Sequence, residues 1–173
     1  MRYLTLAAAA AISLIFTGAV FPNINIYGVA PDVIICTAVS IAILEKSMTG
    51  AGLALVCGLF LDVLFSGAIG LYSIPYLVAG AVVYFVMQYV NYLDKYLLPA
   101  LFAIGAYIVK ELATALVVYM IGDSFAFGHM LVRFILPSAL STGLLMLLIH
   151  LIFRRIYRSP SMKARRGEDF KRL

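Results

Sequence analysis

Residues Leu97–Ile121 read LLPALFAIGAYIVKELATALVVYMI, with charge only at Lys110 and Glu111. A helix needs about 20 mostly apolar residues to cross a bilayer, so this stretch predicts a transmembrane helix. Working outward finds five more apolar runs, at Leu4–Phe21, Pro31–Met48, Gly50–Phe65, Leu71–Val90 and Leu131–Phe153. The expected fold is therefore an all-α polytopic membrane protein with six transmembrane helices. Runs two and three are short. At 1.5 Å per residue they reach only about 24–27 Å, so they must stand upright, thin the bilayer or be partly broken.

Composition agrees. Of 173 residues, 64% are apolar and 12% charged, against about 25% charged in an ordinary soluble domain. Mean hydropathy is +1.05. These values exclude a soluble globular protein, a disordered chain and a disulfide-stapled module. Too few residues lie outside the apolar runs to build a large catalytic domain. One domain is expected: a bundle over residues 1–158 and a basic tail over 159–173. The two cysteines, Cys36 and Cys57, sit within apolar runs and read as small buried hydrophobes.

Charge sets the orientation. Eight of thirteen Lys and Arg residues fall in the last twenty positions. Among them Arg154, Arg155, Arg158, Arg165 and Arg166 read as contacts to anionic lipid headgroups, not to nucleic acid. Arg2, Lys46 and Lys95 mark the other connections on the same side. Six spans with both termini in the cytoplasm put all these basic residues inside, as the positive-inside rule requires. The first run has a charged residue before an alanine-rich stretch, as a signal peptide does. Its length of about 18 residues exceeds the usual 7–15, and it reads as a retained helix.

Polar residues within the runs are costly in lipid and are the candidate functional groups. Asp32, after Pro31, reads as a cap at the start of span two. Asp62 ends span three. It either forms a buried pair with Arg133, early in span six, or accepts hydrogen bonds from a nearby backbone end. Lys110 and Glu111 are neighbours in mid-span five. About 100° apart around the helix, they are not expected to face each other well. Pro137 is expected inside span six, where it would kink the helix. Span three carries Gly50, Ala54, Gly58 and Asp62 at four-residue spacing, and span four carries Gly80 among Tyr72, Tyr76 and Tyr84. Small residues at that spacing admit a close helix, either a neighbouring span or the transmembrane helix of a partner. The histidines, His129 and His150, fall at opposite faces. No catalytic set, metal-ligand spacing or phosphate loop is present, so no enzyme activity, metal or cofactor is expected.

Pro31-Asp32-Val33-Ile34-Ile35, Gly50-Ala51-Gly52, Gly58-Leu59-Phe60-Leu61-Asp62, Gly70-Leu71-Tyr72 and Pro75-Tyr76-Leu77 follow one another in an order that resembles the rod shape-determining protein MreD family. The resemblance spans about residues 31–90. It implies a fold similar to the S-components of energy-coupling-factor transporters. It also implies a non-catalytic subunit of the bacterial cell-elongation machinery in the cytoplasmic membrane, supporting rod shape and peptidoglycan synthesis. The implied partners are an MreC-like bitopic protein, RodA, a class B penicillin-binding protein and, indirectly, MreB. A different class of function, a substrate-binding membrane subunit of a vitamin or small-solute transporter, would place Asp62, Tyr72, Tyr76 and Arg133 around an outward-opening space. The short outer connections weigh against it.

Overall fold

A computed structural model describes residues 2–20, 30–45, 47–66, 69–89, 97–121 and 135–157. Six helices account for nearly all of them: α1 (Arg2–Ile15), α2 (Val33–Glu45), α3 (Thr49–Leu61), α4 (Ser73–Tyr89), α5 (Leu97–Ile121) and α6 (Leu136–Tyr157). No strand occurs among the described residues. Wider π-type turns extend α1 over Phe16–Val20 and α3 over Asp62–Ser66. Each expected run corresponds to one helix. Among the described residues, three stretches are long and apolar enough to cross a membrane, Thr49–Ser66, Leu97–Met120 and Leu136–Arg155; the other three apolar helices are shorter there.

The shortness of α2 has a physical reason. Every residue from Val33 to Ala42 is buried, and the helix packs against each of the other five. A helix that is apolar all round belongs inside a bundle. Its 13 residues span about 20 Å, less than the bilayer's hydrocarbon thickness, but they face protein. The core around it holds Ile34, Val39, Ile41, Cys57 and Met146, all fully buried. Cys36 and Cys57 are free thiols within it.

The perimeter is apolar too. Leu140, Leu144, Leu148 and Ile152 form a four-residue-spaced stripe on α6, each more than half exposed. A row of large exposed aliphatics is a liability in water and ordinary against lipid. At the other end of α6, Arg154 and Arg155 occupy the last turn, where positive charge meets the negative end of the helix dipole. At Pro137 the regular helix begins only one residue earlier, at Leu136, and Ile135 before it is in a wider π-type turn, the kind of irregularity that accompanies a proline within a helix.

The small residues of α3 and α4 are enclosed. A Cβ on Gly58 would stand 2.7 Å from Ser73 Cα, and one on Gly80 would stand 2.7 Å from Ala51 Cα. One on Gly50 would collide with the Ala38 carbonyl and Ala42 of α2. Ala54 is 1% exposed. Docking of a partner helix on Gly50, Ala54, Gly58 and Gly80 is thereby corrected. The chain's own α2 and α4 already occupy these faces, and the close approach they permit is internal.

Candidate functional site

Two buried carboxylates organise one end of the bundle. Asp32 precedes α2, and its Oδ1 accepts the Ile35 N–H at 3.2 Å, the capping bond expected of an Asp at a helix start. Its own N–H donates to Thr142 Oγ1 of α6 at 3.1 Å, and that hydroxyl donates onward to the Ser138 carbonyl. Its Oδ2 accepts the Tyr76 hydroxyl of α4 at 2.6 Å and the Lys110 ammonium of α5 at 3.3 Å. One residue thus joins four helices.

Lys110 completes the cluster. Its Nζ lies 2.7 Å from Glu111 Oε1, and it stands over the rings of Tyr76 (5.4 Å) and Tyr107 (4.8 Å). Asp32, Tyr76 and Tyr107 are buried, and the lysine is nearly so. A cation over two aromatic faces and between two carboxylates is compensated, as a charge in a low-dielectric interior must be. The expectation that Lys110 and Glu111 face apart is corrected. Their backbone vectors diverge, but both side chains are long enough to close the angle.

Asp62 is satisfied in another way. Its Oδ1 accepts the Tyr72 N–H at 2.7 Å, and Oδ2 accepts those of Gly70 at 2.8 Å and Ser73 at 3.1 Å. The Ser66 hydroxyl adds a longer bond at 3.4 Å. These are the donors that the start of α4 leaves without partners, at the positive end of its dipole. Gly70 carries φ +114°, a left-handed conformation that glycine adopts without strain, and it aims this turn at the carboxylate. Arg133, the proposed partner of Asp62, lies outside the described residues, as do Arg158, Arg165, Arg166 and His129. His150 is buried, with Nδ1 unpartnered.

Beside the cluster lies a cavity of about 360 Å³. Asp32, Tyr76 and Lys110 form part of its lining, and the wider turns that end α1 and α3 contribute Thr17 and Phe65.

The pairing of Asp32 with Lys110 was missed in the sequence, yet a signal for it exists. Counted from the ends of the apolar runs at Met48, Val90 and Leu97, Asp32, Tyr76 and Lys110 stand sixteen, fourteen and thirteen residues in. An up-and-down chain puts those three ends at one face, so the three groups share a depth of about 20 Å.

Searches of protein-family models, curated proteins and solved structures find no match to this chain.

Proposed function

We propose that this chain is a non-catalytic, multi-pass subunit of the bacterial cell-elongation machinery in the cytoplasmic membrane. On this reading all six helices span, both termini are cytoplasmic, and the fold is that of the transporter S-components. The chain supports rod shape and peptidoglycan synthesis by binding an MreC-like bitopic protein, with RodA and a class B penicillin-binding protein in the same assembly and MreB reached indirectly. The basic tail meets anionic lipid.

One observation carries the reading. The segments whose order resembles the MreD family are bonded to one another: Asp32 to Tyr76, and Asp62 to Gly70, Tyr72 and Ser73. Gly58 abuts Ser73 in the same joint. Residues of the resemblance therefore act together in setting the bundle's shape, which is what a scaffold needs of its polar groups. A partner's helix, in this account, meets the lipid-facing perimeter and not the enclosed small-residue faces.

The cavity beside Lys110 favours a second reading, the substrate-binding subunit of a small-solute transporter. Purification of the tagged chain from its native membrane in mild detergent, followed by mass spectrometry, separates the two. Recovery of an MreC-like protein with RodA or the penicillin-binding protein is the expected result. Recovery of an ATPase pair with a large coupling subunit would overturn the elongation reading.

A further inference from the structure

Glu111 is the member of the charged cluster with an oxygen left over. Its Oε1 meets Lys110 at 2.7 Å. It has no other polar partner among the described residues. The side chain is 23% exposed, and its second oxygen, unlike the enclosed Thr17 Oγ1, reaches the surface. Asp32, by contrast, is buried and takes the Ile35 N–H, the Tyr76 hydroxyl and the ammonium. Two carboxylates share one cation, so the cluster sums to one negative charge. Lys110 cannot shift wholly to Glu111 without stranding Asp32. The cavity does not take up the difference, since Lys110 lines it and Glu111 does not.

The surface it reaches is the outside of the bundle. Glu111 stands fourteen residues along α5 from Leu97, about 21 Å, which places it within the hydrocarbon layer if α5 spans the bilayer. Lipid tails offer a carboxylate nothing there. α5 is also the least enclosed of the three long helices: 17% of its window is buried, against 33% and 44%. Ile108 and Ala115 share the Glu111 face, three and four residues away, and are half-buried. Leu112 and Leu116 beside them are exposed. We infer that this face of α5 receives a foreign transmembrane helix carrying a basic side chain at mid-span, whose charge completes the Asp32–Lys110–Glu111 cluster. Charge complementarity selects the cation, and the apolar flanks select a helix that is otherwise apolar. The inference rests on the proposal that α5 spans and that a partner meets the perimeter, but it holds for any helix of this chemistry.

Synthetic helices test it without assuming which protein supplies the natural one. Three polyleucine spans of about 24 residues, with identical lysine flanks, carry Arg, Leu or Glu at the centre. Energy transfer from the labelled full chain to each labelled helix is followed in phosphatidylcholine vesicles. The Arg helix is expected to bind about tenfold tighter than the Leu helix, and the Glu helix least tightly. Glu111→Gln keeps an acceptor for Lys110 and leaves the Asp32 pair in place. Its Tm should hold, while the advantage of the Arg helix disappears. A cysteine beside the central Arg should form a disulfide with Leu112→Cys on this face and not with Leu144→Cys on α6, a position equally open to lipid. Equal binding of the Arg and Leu helices, or an Arg advantage retained in Glu111→Gln, would overturn the docking face. Disulfide formation at Leu144→Cys as readily as at Leu112→Cys would overturn its location. Selective Arg-helix binding without an MreC-like protein in the native purification would sustain this inference and overturn the elongation reading alone.

Discussion

Asp32 and Asp62 are both buried carboxylates near helix ends, and they are stabilised by opposite strategies. Asp62 draws on backbone donors within eleven residues of itself. Its charge is balanced by one helix terminus, and its task is local: it fastens the start of α4 to the end of α3. Asp32 draws on side chains 44, 78 and 110 residues away. Its charge is balanced by a cation, and its task is global. A cap can be replaced by other acceptors. A cross-bundle ion pair cannot lose one member without leaving its partner charged and buried.

The sharpest way to break the contrast is Lys110→Ala. It strands Asp32 and Glu111, and a loss of about 3–5 kcal/mol is expected, read as reduced resistance to unfolding in mixed micelles. Gly58→Leu comes next. It forces a side chain against Ser73, displacing the donors that face Asp62, and should cost about 3 kcal/mol. Asp62→Ala removes the cap itself. Because these N–H groups sit at a helix end, other acceptors can partly replace it, and about 2 kcal/mol is expected. Tyr76→Phe deletes one short bond to Asp32 while the lysine pair persists, for about 1.5 kcal/mol. If Asp62→Ala proved costlier than Lys110→Ala, the division into local cap and global joint would fail.

The sequence discloses these regions unequally. The six helices are plain in it, because each is written as a continuous apolar run bounded by turn residues. Asp32 as a cap was legible for the same reason Asp62 was half legible: a carboxylate at a helix end has a nearby donor set. The partners of Asp32 were not, because nothing local in Pro31-Asp32 names a lysine in α5. Helix depth, counted from the ends, would have paired them. The spacing of Gly50, Gly58 and Gly80 showed close packing but not what packs there, since an internal and a foreign helix ask for the same small residues. The cavity was partly legible: Tyr72 and Tyr76 of the expected outward-opening space line it, whereas Asp62 is turned to the backbone donors before α4. Part of its lining comes from the wider turns ending α1 and α3, which leave no mark in the hydrophobic pattern.

The central claim is that Asp32 and Lys110 act as one unit. A double-mutant cycle with Asp32→Asn and Lys110→Met, read by unfolding in mixed micelles, tests it most directly. The account predicts a double variant more stable than the sum of the single losses, by about 2 kcal/mol. Losses that add to within about 0.5 kcal/mol would contradict it.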